Sequence, residues 1–441
     1  MQHSFEGLDR AGGIGRVGLL RPLRRRDFRR LWAGMSISLV GDGVFLVATA
    51  WTAYALWNAP AALSIVGIAL TVPTMACLLY GGALSDRFDR RLVMLWSDVG
   101  RAAAVGVLAL LAFAHALTFA ALVAVVAAYA LGAGFFTPAF ESFVPSLVPS
   151  DELPQANALD QFVRPIALRL VGPALGGSIV GVLGAGTAFG LDALSFACCA
   201  AAVLSVRPVD TPAEAAESTL EAVRAGLRFV RGRVWLWGTL ASAAVAYLVF
   251  LGPTEVLLPF VVKNDLHGSA SDLGVVLAAG GVGAILAAAY MGQRSEPRRA
   301  VTFMYACWTV ATLAVVGYGI GRTMPQLALA CLCFNALEAA GTIVWSTIKQ
   351  RHVPPHLLGR VSSLDWLISI SLLPVSYALT GPVAGALGAR TTLVGAGAIG
   401  AAATLGALYL PGMRTLDATG MSTAQRRASP GSDDGPSLNT V

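Results

Sequence analysis

Twelve apolar runs punctuate the chain, near residues 31–56, 61–84, 92–113, 119–145, 156–181, 186–206, 234–262, 271–293, 300–321, 325–348, 361–387 and 390–410. Each is close to the ~20 residues that a helix needs to cross the hydrocarbon core of a bilayer. The competing reading is a large soluble protein with a big core, and composition removes it. Only 13% of the 441 residues are charged, against roughly a quarter in soluble chains. The expected fold is therefore an all-α membrane protein with twelve transmembrane helices, and the lipid bilayer is its first partner.

Arginines mark the ends of the runs on one side. Eight lie within residues 1–30, and further groups follow at Arg87, Arg90 and Arg91 and at Arg294, Arg298 and Arg299. Loops on the other side, such as Asn58-Ala-Pro60 and Gly184-Ala-Gly186, carry no charge, and Lys263 and Arg322 are its few cations. The bias of cations towards the cytoplasm predicts that both termini lie there. The first run is too long for a signal-peptide core and shows no clear cleavage site, so it reads as a retained span. Cations are nearly all arginine, with only Lys263 and Lys349 as lysines, a composition of GC-rich bacteria. A multi-pass position in a bacterial plasma membrane is expected.

The runs fall into two sets of six. Val148-Pro149 followed by Leu159-Asp160 returns as Val353-Pro354 followed by Leu364-Asp365, at a constant offset of 205 residues. Gly172-Pro173 with Gly176 returns as Gly381-Pro382 with Gly385. The fifth span thus echoes the eleventh, as two pseudo-symmetric six-helix bundles require. The expected organisation is an Arg-rich cytoplasmic N-terminus (1–30), an N-terminal bundle (31–206), a linker (207–233), a C-terminal bundle (234–411) and a disordered cytoplasmic tail (412–441). In the linker, Leu220, Val223, Leu227 and Val230 recur at helical spacing opposite Arg224, Arg228 and Arg231. This pattern fits an amphipathic helix on the inner leaflet; a solvated linker is the alternative.

Residues 86–91 place five charges in six positions between the second and third runs. Gly82, Leu84, Asp86, Arg87, Arg90 and Arg91 match the pattern Gly-x-Leu-x-Asp-Arg-x-Gly-Arg-Arg. That pattern resembles the loop signature of the major facilitator superfamily, at the loop where the superfamily carries it. Asp89 stands where the superfamily usually has Gly, which puts the tight turn in question. The resemblance implies that Asp86 latches onto the start of the eleventh span, near Gly359 to Ser363, and that breaking the latch lets the halves rock. Gly172, Pro173, Gly176 and Gly177 in the fifth span resemble the Gly-Pro-x-x-Gly-Gly element of antiporter branches. Glycines one turn apart allow close helix approach, and proline removes a backbone donor and bends the helix.

Residues 25–410 as a whole resemble the drug and siderophore exporter branch. The likeness is carried by Phe28-Arg-Arg-Leu-Trp32, Gly41-Asp42-Gly43, Ala158-Leu-Asp160, Leu191-Asp192-Ala-Leu-Ser-Phe196 and Gly359-Arg-Val-Ser-Ser-Leu-Asp365. It implies a proton-coupled antiporter that extrudes small amphipathic compounds and works as a monomer. The arginine often found in span four of such antiporters is missing, because Leu122 to Gly134 carries no charge.

A charge at the centre of a spanning helix costs roughly 2.5–3.5 kcal/mol on insertion scales, so each needs a reason. Asp42, Arg169 and Glu338 fall near mid-span; Asp192 and Glu255 fall nearer the outer ends of spans six and seven. Asp42 and Arg169 are expected to face each other across the N-terminal half, with Glu338 opposite. Desolvation and the arginine would then pull a carboxylate's proton affinity in opposite directions, a basis for trading protons against substrate. Asp160 and Arg164 form a structural helical pair. Asp98, Arg101 and Glu141 are expected near the cytoplasmic face, bracing the arginine-rich loop. Trp51, Tyr54 and Phe250 either line a cavity or pack.

Other functions find little support. An importer of a small metabolite remains an alternative, and so does a sensor or scaffold, though no sequence resembling a soluble signalling domain is present. No His-Glu-x-x-His or Gly-x-Ser-x-Gly pattern points to an enzyme. Pro354 and Pro355 break any helical pairing of His352 and His356. The six cysteines sit inside apolar runs without metal-ligand spacing. No cofactor, metal or nucleic-acid partner is expected.

Overall fold

A computed structural model of the chain describes residues 20–85, 89–149, 152–207, 219–294 and 297–417. These residues contain twelve helices long and apolar enough to cross a membrane and no strand. The spans are Arg26–Leu56, Pro60–Cys77, Arg90–Phe113, Phe119–Leu147, Gln155–Leu183, Ala185–Ser205, Val234–Asp265, Ala270–Gly292, Ala300–Ile320, Met324–His352, Arg360–Leu387 and Ala389–Leu408. The second helix itself continues to Ser85. The even count puts the start of the first span and the end of the twelfth on one side, called here the terminus side. Inside a bilayer the backbone has no water to bond, so helices that satisfy their own amides are the stable form for these runs.

Local chemistry sets where spans begin and turn. Asp89 caps span three by accepting from the Arg91 amide at 2.9 Å, with an ordinary φ of −56°. The aspartate that departs from the superfamily pattern is therefore a helix cap. Thr118 caps span four, and Ser269 with Asp272 forms a capping box on span eight. Gly184 joins spans five and six, and Gly388 joins spans eleven and twelve, each at φ +85°. Only glycine adopts that conformation without strain, and the two turns occupy matching places in the two halves.

Span five is not uniformly α-helical. Residues Ile166–Val171 form a π-helical segment between Leu153–Pro165 and Gly172–Leu183. Pro173 lacks the amide that would bond the Arg169 carbonyl, and its ring crowds that carbonyl. The chain accommodates both by widening the turn. Span eight fits against the freed carbonyl: a Cβ at Gly281 would stand only 2.6 Å from the Arg169 carbonyl carbon. The expected kink at Pro173 is thus expressed as a π turn that carries Arg169.

The two halves meet through span five against span eight and span two against span eleven. A Cβ at Gly177 would lie 2.6 Å from the Ala270 carbonyl oxygen and 2.8 Å from Gly274 Cα. Gly67 lies against the Tyr377 ring, and Gly381 against Ala61. The Tyr54 hydroxyl donates to the Val256 carbonyl at 2.6 Å, and Asn58 donates to Asn264 at 2.7 Å. These contacts all belong to the side opposite the termini. Tyr54 and Phe250 are buried in the packed core, so they pack rather than line a cavity; Trp51 faces the Lys263 ammonium at 5.5 Å.

On the terminus side each half has its own braces. Thr219–Arg231 is helical and docks on the C-terminal half, with Val230 buried and Gly226 close to Leu364 and Arg360. The chain beyond Gly412 also starts in an ordered form. Met413 is fully buried beside Thr239, and the Asp417 carboxylate accepts from the Val301 and Thr302 amides at 2.9 and 3.0 Å, capping span nine. The disordered tail expected from 412 therefore has a docked beginning; residues 418–441 lie outside the described residues.

The glycine contacts across the halves yield a prediction. Gly177→Val places a branched side chain where no atom fits and should separate the halves on this side. Spin labels at positions 58 and 264, in a cysteine-free background, should report a longer distance than in the parent. An unchanged distance would show that Gly177 does not control the closure.

Candidate transport site

The fold gathers the membrane-embedded charges into discrete groups. The first lies wholly within the N-terminal half. Arg101 of span three is 4% exposed and donates to Asp98 Oδ1 at 2.5 Å, while its other terminal nitrogen is 4.0 Å from Asp42 Oδ1 of span one. Its guanidinium lies 4.7 Å from the Phe136 ring centre and 4.2 Å from that of Phe196, a favourable setting for a cation. Tyr129 of span four donates to Asp42 Oδ1 at 2.6 Å and stacks on Phe45. Asp192 of span six adjoins the Gly41 backbone and accepts weakly from Ser195 at 3.3 Å. Asp98 and Asp192 are fully buried.

Asp42 differs from its neighbours in retaining 15% side-chain exposure. It lines a small cavity with Met35, Leu39, Phe136, Phe140 and Arg164 between spans one, four and five. Ser38 and Thr137 complete the lining, so one side of the carboxylate faces the buried cluster and the other a hollow of mixed polar and aromatic lining.

The second group joins the halves. Arg169, on the π turn, reaches Asn335 and Glu338 of span ten, each at 3.5 Å. Thr342 donates to the other Glu338 oxygen at 3.0 Å. The Asn335 amide is anchored on the Cys331 carbonyl at 2.9 Å. Elsewhere, Tyr377 of span eleven donates to Glu255 of span seven.

Asp365 is held by Lys349 at 2.5 Å and by the Trp345 ring nitrogen at 2.9 Å. Its counterpart Asp160 holds Arg164 through two 3.2 Å bonds. The sequence repeat thus places an ion pair at the matching position in each half. A larger cavity of about 590 Å³ is lined by Asp265, Arg322 and Arg390. It lies away from these charges, at the ends of spans seven, nine and twelve, where Arg390 ties Asp265 to the Gly319 and Gly321 carbonyls.

Several expectations need correction. Asp42 does not face Arg169: it turns into the N-terminal half, whereas Arg169 turns to the C-terminal half and pairs with Glu338. An extra residue in a helical turn re-aims side chains by about 100°, and the hydropathy pattern does not reveal it. Asp98 and Arg101 do not brace the arginine-rich loop. Arg101 is eleven residues into span three from Arg90, which at ~1.5 Å per residue is near the bilayer centre. Asp192 joins the same cluster. Tyr129 and Asn335 were missed; their signals were a lone hydroxyl in an apolar run and an amide one turn before Glu338.

The loop and the fifth-span motif are placed as follows. Gly82 lies in the last turn of the helix of span two, and Asp86 and Arg87 lie outside the described residues. Arg90 donates to the Ser142 carbonyl at 2.9 Å; Arg91 donates to the Val203 and Leu204 carbonyls at 3.1 and 2.7 Å. They satisfy carbonyls at the ends of spans four and six, where the helix dipole is negative. Gly172 packs on Gly43, Gly176 on Val44 and Gly177 on Gly274, while the Pro173 carbonyl abuts Gly274. The motif therefore wedges span five between span one of its own half and span eight of the other.

Comparison with known proteins agrees with this architecture. The model of a family described as transmembrane secretion effector matches residues 17–432. The chain is a member of the major facilitator superfamily. Its relatives include the multidrug efflux pump Tap of Mycolicibacterium fortuitum, 29% identical, covering 90% of this chain and 97% of Tap. The enterobactin exporter EntS of Citrobacter koseri is 26% identical, covering 84% and 88%. A crystal structure of a bacterial homologue of the iron transporter ferroportin, in an inward-facing state, shares the fold with a TM-score of 0.65 at 15% identity, covering 87% of this chain and 99% of that one. The chain is a membrane transporter of this superfamily and not an enzyme.

The buried arginine gives this transporter a stability test. Arg101→Leu strips the cation from Asp98 and Asp42, and breaking such a buried pair typically costs about 3–5 kcal/mol. Denaturation in detergent should show a large loss, partly restored by adding Asp98→Asn. A variant as stable as the parent would mean that Arg101 does not hold these carboxylates.

Proposed function

We propose that this protein is a proton-coupled antiporter that exports small amphipathic compounds by alternating access, and that one chain suffices. The observation that carries the reading is the double environment of Asp42, bonded to Tyr129 on one side and lining a hollow of mixed polar and aromatic residues on the other. A carboxylate so placed gains or loses a proton as its hollow fills. The cation bias of the terminal side assigns it to the cytoplasm. Cargo would be taken up from the cytoplasm of a bacterium and released on the opposite side. Relatives named as a multidrug efflux pump and as an enterobactin exporter support the outward direction and the amphipathic cargo.

In the proposed cycle, Arg169 and Glu338 hold the halves together at mid-depth. Rocking would part the glycine contacts of spans five and eight and close the terminus side. In that state the resemblance has Asp86 latch onto the start of span eleven, near Gly359 to Ser363. Glu255, bonded to Tyr377 within the C-terminal half, would keep that partner as the halves move. The arginine missing from span four has a substitute in Arg101, which reaches the same neighbourhood from span three.

Everted vesicles with a respiration-driven pH gradient test this proposal, with ethidium as the amphipathic probe. Ethidium should enter the vesicles, dissipate part of the gradient, and stop entering when a protonophore is added. Asp42→Asn should abolish gradient-driven entry. Full transport by that variant, or accumulation only in intact cells, would contradict the proposal.

A further inference from the structure

The N-terminal half holds more acid than base in a place where charge is costly. Asp42, Asp98 and Asp192 surround one guanidinium, that of Arg101, and none exceeds 15% exposure. Arg164, on span five beside the same hollow, is committed to Asp160 through both of its bonds. Glu141 of span four adds a further acid near that pair, and Cys199 of span six lies beside Asp98. Among the described residues, no second cation pairs with the cluster from spans one, three, four or six. If all three aspartates were ionised, the group would carry two uncompensated negative charges, each costly to bury without a partner.

The bonding pattern says where charge resides. Asp98 is within 2.5 Å of the guanidinium and is the ion-pair partner. Asp42 stands at 4.0 Å from Arg101 and relies on the Tyr129 hydroxyl. Asp192 has only Ser195 as a weak donor, and its Oδ2 has no partner among the described residues. A neutral acid tolerates such a setting far better than a carboxylate does. Asp192 also touches the Gly41 backbone, one residue from Asp42, so the two acids are neighbours across spans one and six. The carboxylates are not disposed as metal ligands, and the guanidinium occupies the place a cation would take.

We propose that this cluster is a two-proton site: Asp98 stays ionised with Arg101, Asp42 and Asp192 each carry a proton, and Asp42 is the group through which both exchange with water. Asp192 is then a sealed store behind Asp42. The Arg101 fork, which can shift between Asp98 and Asp42, sets how many protons remain when the hollow fills. Its part in coupling rests on the antiport reading above; the proton count does not.

Infrared spectroscopy of the purified protein at neutral pH reads that count directly. The measured quantity is the protonated-carboxyl C=O band that shifts in heavy water. A triple variant, Asp42→Asn with Asp98→Asn and Asp192→Asn, supplies the baseline for acids elsewhere. The parent's band above that baseline should be halved by any one of Asp42→Asn, Asp98→Asn and Asp192→Asn. Each removes one acid from a group whose single cation keeps one carboxylate ionised. Arg101→Gln should raise the band by half. A parent without a band above baseline, or a single variant that abolishes it, would overturn the two-proton site. Gel filtration identifies variants that fold, and any one folded single variant is enough to decide. A confirmed count together with pH-gradient transport unaffected by Asp42→Asn would leave the site standing and sink antiport.

Discussion

The cost of holding ionised groups in hydrocarbon governs this molecule. Each embedded charge must find a partner, and the partners fix how the helices are turned. In the N-terminal half, Arg101 lies against Phe136 and Phe196, pairs with Asp98 of its own span and draws span one to span three through Asp42. Between the halves, Arg169 has Glu338 and Asn335. The fold spends its charges sparingly, and each group also fixes helix packing.

Span five links these groups mechanically. Pro165 and Pro173 bracket a π turn that exposes the Arg169 carbonyl, and Gly281 lets span eight approach it. Two turns farther along, Gly177 and Gly274 bring the same spans almost into backbone contact. An interface of small residues and one ion pair has few side chains to disentangle, so rigid halves can part there without repacking their interiors. The interiors are tied instead by longer-range bonds, with Arg90 and Arg91 clamping the ends of spans four and six and Asp417 capping span nine.

Much of this was legible in the sequence. Twelve helices follow from run length because the bilayer demands twenty apolar residues whatever their identity. The repeat of Leu159-Asp160 in Leu364-Asp365 foretold matching places in the two halves, and both aspartates are ion-paired. The pairing of Arg169 with a C-terminal glutamate was half visible, since both lie at mid-span. Direction was not visible. Whether Asp42 turns towards Arg169 or Arg101 depends on helix phase, and the π turn shifts that phase without altering hydropathy. The depth of Asp98 and Arg101 was misjudged because their charge suggested the loop, although their position in the run put them near the centre. Met413 and Asp417 escaped notice because a single buried methionine and a single cap in a polar tail leave no periodic trace.

The claim on which the account rests is that Arg169 and Glu338 form the mid-depth tie across which the halves rock. Exchanging the charges measures it most directly, by comparing ethidium transport in Arg169→Glu, in Glu338→Arg and in the protein carrying both changes. The account predicts that each single change, which sets like charges together, abolishes transport, and that the double exchange restores a substantial part of it. Transport at the parent rate in either single variant, or a folded double exchange as inactive as the singles, would contradict it.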